Sequence, residues 1–218
     1  HYVDQGTQRS IIGNIYLGKV QNVLPAMEAA FIDIGRGRNA VLYAGEVDWS
    51  RAEGKPKRIE SALAAGDSVL VQVVKDAMGH KGARLTNQIS LAGRYLVLMP
   101  NNPRAGGVSR RIEGEDRNIV RDAMAQLEIP SDMGLIVRTA GIGRIAEELQ
   151  WDLDYLVTLW GAITKAAGDK PAPFLIYQES NVIIRSIRDY LRADIGEIVI
   201  DDPNVYTEAR EFIEQVRP

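Results

Sequence analysis

The chain has 218 residues, a formal net charge of −3 and no cysteine. That length suits one large or two small domains with real hydrophobic cores, and a cysteine-free chain has no disulfide, thiolate nucleophile or thiolate metal site. No apolar run approaches the ~18 residues of a membrane span, and the opening HYVDQGTQRS lacks the apolar core of a signal peptide, so a cytoplasmic protein is expected.

Residues 11–87 read as β-rich. IIGNIYLGKVQNVL and MEAAFIDIG are short apolar runs parted by a turn at Pro25. AVLYAGEV follows the Gly-Arg-rich turn Gly35–Arg38, and SVLVQVVKD alternates with the period of a half-buried strand. Residues 50–66 form a polar insertion that ends in a short helix. Five or so short strands with one longer excursion suit a small Greek-key barrel. After Thr86 the pattern changes. SLAGRYLVLMP reads as a strand ending at Pro100, NNPRAGG as a loop and VSRRI as a short strand. EGEDRNIVRDAMAQLEI places Ile119, Val120, Met124 and Leu127 at helical spacing, with Pro130 as the stop. GLIVRTAG reads as a buried strand opening into a glycine turn, and residues 144–167 as a long helix broken at Gly161. FLIYQES is a strand, NVIIRSIRDYL a helix, IGEIVIDD a strand and NVYTEAREFIEQV a final helix. Strands alternating with helices after residue 88 point to an α/β domain.

Charge is unevenly spread. From Lys75 to Arg111 there are seven basic residues and a single acid, Asp76, whereas the stretch from Gly196 onward is mostly acidic. A phosphate-facing middle and a solvated tail is the simple interpretation, and it keeps nucleic acid open despite the negative total. Arg138-Thr139, at the end of the GLIVRTAG strand beside Gly141, unites a forked guanidinium, a hydroxyl and backbone N–H groups, the donors that hold a terminal phosphate best. The same residues also suit an exposed strand end with a local cap. Phe31 is either a base-stacking surface or a core residue, since alternation does not say which face is wet. Lys81, in the Gly-His-Lys-Gly turn, is either a phosphate contact or a solvated charge. Arg110 and Arg111, adjacent on a short strand, point to opposite faces, so at most one of them would face a bound nucleic acid. Asp201-Asp202 has no evident third ligand, and His1 and His80 are too isolated for a metal or general-base role.

Three strings carry a resemblance: GNIYLGKVQNVLPAMEAAFIDIGRGRNAVLY at 13–43, SLAGRYLVLMPNNPRAGGVSRRIEGEDR at 90–117, and GLIVRTAG at 134–141 followed by LQWDLDYLVTLW and PAPFLIYQESNVIIRSIRDYL. In this order they resemble the ribonuclease E/G family of bacterial RNA-processing endonucleases. The resemblance implies a mixed α+β and α/β chain, an S1-type OB barrel inserted in an RNase H-like domain with a 5′ sensor. Its implied segments are 1–12 (RNase H-like), 13–87 (S1), 88–183 (5′ sensor) and 184–218 (RNase H-like). It also implies that Arg138 and Thr139 bind a 5′-monophosphate, that Gly93 and Val97 contact the first nucleotide, and that Phe31 and Lys81 hold single-stranded RNA. Many relatives carry a second aromatic where this chain has Val41, a lost stacking platform unless Tyr16 or Tyr43 compensates. The implied reaction is Mg²⁺-assisted phosphodiester hydrolysis in a catalytic domain expected beyond Pro218. No catalytic residue or cofactor is therefore expected here, with Mg²⁺ and Zn²⁺ reserved for a full-length homo-oligomeric parent, and this stretch alone is expected to be an inactive monomer or weak dimer. The competing expectation is a non-catalytic S1-type RNA-binding adaptor, indifferent to the 5′ group.

Overall fold

The computed structural model describes residues 10–216 except 52, 53, 55, 180 and 193. The described residues fall into two compact units, within His1–Ile89 and Ile163–Val182 and within Ser90–Ala162 and Ile183–Pro218. Residues 1–9 of the segment expected to be RNase H-like lie outside the described residues.

In the first unit the β-rich stretch forms β1 (Ile15–Leu24), β2 (Ala29–Asp33), β3 (Ala40–Tyr43), β4 (Ser68–Lys75) and β5 (Arg84–Thr86). They run in the order β1-β2-β3-β5-β4, and β4 pairs back onto β1, so the sheet closes into a barrel. The length of β1 makes closure possible. Its first half, Ile15–Lys19, pairs with β4, and its second half pairs with β2 across a register shift between Val20 and Asn22. Pairing is antiparallel except between β3 and β5, and this is the five-stranded Greek-key arrangement of OB folds. The interior is filled by Tyr16, Val20, Ile32, Leu42, Val71 and Leu85, all nearly inaccessible to solvent. The polar insertion ends, as its sequence suggests, in the short helix α1 (Ile59–Ala62). FLIYQES supplies a strand, here numbered β10 (Phe174–Tyr177), which adds antiparallel to Ile15–Leu17 of β1.

The second unit contains a four-stranded sheet of β6 (Leu91–Ala92), β7 (Leu96–Met99), β8 (Gly106–Val108) and β9 (Gly134–Val137), ordered β6-β7-β9-β8. Only β8 and β9 run parallel, so the architecture is mixed α+β rather than a succession of parallel crossovers. SLAGRYLVLMP is a hairpin, not one strand, because the chain reverses at Gly93–Tyr95. The helices of the chain beyond β8 are α2 (Gly114–Ala125), α3 (Ala146–Ala167), α4 (Val182–Tyr190) and α5 (Pro203–Val216), the end of α3 from Ile163 belonging to the first unit.

Three further expectations are corrected. Arg110 and Arg111 lie in a turn after β8, both exposed, so the opposite-faces argument for a strand does not apply to them. Helix α3 runs through Gly161 without a break, since one glycine costs a helix only ~1 kcal/mol and the flanking turns are long. IGEIVIDD forms no strand, and Val199 is 83% exposed. Alternation proposes a strand, but a strand needs a ladder partner, and the described strands of this unit pair with one another. Asp202 instead caps α5, its carboxylate accepting from the N–H groups of Asn204 (2.8 Å) and Val205 (3.2 Å), with Pro203 at the first helical position.

Candidate functional site

Two surfaces gather the residues singled out in the sequence, one in each unit. In the barrel, alternation sends Ala30, Ile32, Ala40 and Leu42 inward, so Phe31, Val41 and Tyr43 reach the outer face, each half-exposed. Phe31 and Val41 are cross-strand partners, and Val41 pairs in turn with Arg84 of β5. The Arg84 guanidinium lies over the Tyr43 ring, 4.9 Å from its centroid, a cation–π arrangement. These side chains line a groove of about 710 Å³ that Arg38 and Lys81 also face.

A tight hairpin brings Lys81 to this groove. Met78 N–H donates to the Lys81 carbonyl at 3.0 Å and Lys81 N–H to the Met78 carbonyl at 2.9 Å. Gly79, at φ +57, supplies the left-handed backbone that such a two-residue turn requires. Arg38 ties the turn down by donating to the carbonyls of Gly79 and Lys81. Gly82 follows because a Cβ there would lie 2.0 Å from the Asn39 carbonyl oxygen. Phe31 and Lys81 thus share one groove, and Phe31 is not part of the core. Tyr43 stands beside Val41 on the same wet face, whereas Tyr16 is 3% exposed inside the barrel. Arg38 is a charged groove residue that sequence patterns did not single out as a contact.

In the second unit the end of β9 meets the β6–β7 turn. Arg138 N–H donates to the Tyr95 carbonyl at 2.7 Å, and its guanidinium donates through Nη1 to the Gly93 carbonyl at 2.7 Å. The side chain is otherwise half-exposed, and exposed Thr139 beside it opens the one-turn 3-10 helix Thr139–Gly141. Val97, half-buried on β7, pairs with Ile136 of β9 and Ala92 of β6. Gly93 is buried and its carbonyl is already engaged by Arg138. Two further guanidiniums, of Arg94 and Arg144, lie 5.1 and 5.2 Å from the Tyr95 ring centroid. The arrangement offers an anion a fixed, positively charged fork with a hydroxyl next to it.

Asp152 of α3 lies beneath this turn, 2% exposed. Its carboxylate accepts from the N–H groups of Arg94 (3.0 Å), Tyr95 (2.9 Å) and Leu96 (3.0 Å). Burial pushes its carboxyl above the usual carboxylate range, while the three N–H groups and the charge of Arg138 pull it down. Sequence patterns had left Asp152 aside, yet a signal was present: it falls between Leu149, Leu153 and Leu156 on the buried stripe of its helix. Among the described residues no three His, Asp or Glu side chains come together as a metal site would need, and no helix is long and apolar enough to cross a membrane.

The sequence profile of the ribonuclease E/G family matches residues 90–218. Ribonuclease E of Haemophilus influenzae is 54% identical over 94% of this chain and 22% of its own length. Ribonuclease E of Escherichia coli is 56% identical over 92% of this chain and 19% of its own. Ribonuclease G of H. influenzae is 35% identical over the whole chain and 46% of its own length. The chain thus spans about a fifth of the two ribonuclease E relatives. With the profile covering the second unit and the high-identity relatives covering most of the chain, it belongs to the ribonuclease E/G family.

Proposed function

We propose that this chain is the RNA-binding and 5′-monophosphate-sensing portion of a bacterial endoribonuclease acting in RNA processing and decay. The observation that carries this is Arg138, whose guanidinium is anchored through one of its five N–H donors to the Gly93 carbonyl and is otherwise half-exposed beside Thr139. An anchored fork discriminates better than a free one, because less side-chain entropy is lost when the anion arrives. The barrel groove complements it. Phe31 and Tyr43 supply flat faces for unpaired bases, and Lys81 supplies a charge for the backbone, the chemistry by which OB folds take single strands. Within this proposal residues 13–87 are the S1 part, 88–183 the 5′ sensor and 184–218 RNase H-like, with Gly93 and Val97 beside the first nucleotide.

Because the chain spans about a fifth of its ribonuclease E relatives, phosphodiester hydrolysis, its Mg²⁺ and Zn²⁺ requirements, homo-oligomerisation and a cytoplasmic location are proposed for the whole protein. The test is fluorescence anisotropy at low salt with one short single-stranded RNA carrying either a 5′-monophosphate or a 5′-hydroxyl. The monophosphate should bind about tenfold tighter, the worth of one charge-assisted hydrogen bond, and Arg138→Ala should abolish that preference. Equal binding of both ends by the wild type would sink the sensor proposal and favour an end-indifferent adaptor.

A further inference from the structure

The β6–β7 turn beside the proposed phosphate site is held through all four of its N–H groups and through the Gly93 and Tyr95 carbonyls. Gly93 N–H donates to the Leu96 carbonyl at 2.7 Å, and the N–H groups of Arg94, Tyr95 and Leu96 all end on Asp152. The Gly93 and Tyr95 carbonyls both accept from Arg138, one from its guanidinium and one from its backbone. A single buried carboxylate therefore fixes the donor side of the turn, and Arg138 closes its acceptor side. The fit leaves no slack: a Cβ at position 93 would stand 2.5 Å from Asp152 Oδ2 and 2.7 Å from Oδ1. Glycine at 93 is thus explained by the approach of Asp152, independently of any contact with RNA.

We infer that Asp152 is a positioning residue for the 5′-phosphate site, acting through the Gly93–Leu96 turn to hold the Arg138 guanidinium in its anion-accepting orientation. The inference rests on the sensor proposal for Arg138. The chemistry explains why a carboxylate serves here. Three converging N–H donors on consecutive residues need an acceptor-only group with several lone pairs. An amide in its place would turn an NH₂ toward one of them. That would loosen the turn, move the Gly93 carbonyl and free Arg138 to sample other rotamers, so the phosphate would meet a mobile fork. A purely structural Asp152 would instead change stability and leave end discrimination alone.

The test compares wild type, Arg138→Ala and Asp152→Asn for the ratio of affinities toward 5′-monophosphate and 5′-hydroxyl RNA, alongside circular dichroism melting. Asp152→Asn, still folded, should bind the 5′-hydroxyl RNA within about twofold of wild type and lose about tenfold in the monophosphate preference. A second measurement needs no Asp152 variant: amide resonances in the wild-type chain titrated with each RNA. The monophosphate, but not the hydroxyl form, should shift the amides of Arg94, Tyr95 and Leu96, and Arg138→Ala should erase those shifts. A folded Asp152→Asn that keeps the preference, or amides unmoved at saturating monophosphate RNA, overturns the inference while leaving Arg138 as the sensor. A wild type without end preference overturns both.

Discussion

At the scale of single residues, the groove on the barrel differs from what its strand sequence alone suggests. Val41 occupies the position where the family resemblance leads one to expect an aromatic, yet the neighbouring outward position on the same strand is Tyr43, with the Arg84 guanidinium 4.9 Å from its centroid. A cation over one face of a ring holds that ring in place. The half-exposed ring is thereby kept as a fixed edge or platform at the groove, which Phe31 also lines. Tyr43→Leu keeps apolar bulk and removes the π-face, so affinity for single-stranded RNA should fall by about 5- to 150-fold, the measured worth of one base–aromatic stack. Tyr43→Phe should stay within about twofold of wild type, because stacking does not need the hydroxyl. Anisotropy titrations with a 5′-hydroxyl oligonucleotide read this without involving Arg138, and an unchanged Tyr43→Leu would remove Tyr43 from the binding surface. Asp152 shows the limit of residue-level inference. Only its place on an apolar stripe separates it in sequence from exposed Asp154 two positions on, and the three N–H groups it accepts come from a segment more than fifty positions away.

At the scale of elements, what was legible depended on whether an element carries its own reason to form. Strands β1 to β4 were readable because a closed barrel has one dry side, and alternation reports a dry side directly. The pairing of β10 with β1 was not, since its partner lies about 160 positions earlier in the chain and periodicity carries no partner information. The strand expected in IGEIVIDD failed for the same reason: period-2 alternation is necessary for a half-buried strand but does not supply the ladder. Gly161 misled in the other direction. It is exposed within a helix of 22 residues, and a Cβ there would meet nothing within 4 Å. Its cost is therefore the local one of backbone entropy. Gly161→Ala should stabilise the chain by about 0.5–1 kcal/mol, a rise of a few degrees in melting temperature. Thermal and urea unfolding check this, and a destabilised variant would mean that the glycine is needed for an approach not visible in the helix itself. Gly82 offers the contrast, because its missing Cβ is required by the Asn39 carbonyl.

At the scale of the whole molecule, a net charge of −3 has to be reconciled with the proposed RNA partner, which carries one negative charge per nucleotide. The reconciliation is local. Arg38, Lys75, Lys81 and Arg84 face one groove with a single acid, Asp76, and beyond about one Debye length, ~10 Å at ordinary salt, the acidic remainder of the chain is screened from RNA bound there. Binding should then depend on a small, countable number of phosphate contacts. For single strands each contact contributes about 0.7 to the slope of log affinity against log salt, so four cations give at most about −3. Lys81→Ala should flatten the slope by about 0.7 and weaken binding similarly for every RNA sequence, since a phosphate contact carries no base information. Arg104→Ala, which removes an exposed charge from the loop after β7, is the matched control and should leave the slope unchanged. The two variants alter net charge identically. If they shift the slope equally, affinity follows total charge and the groove has no special role; if only Lys81 does, the contact is specific to the barrel face on which Phe31 and Tyr43 lie.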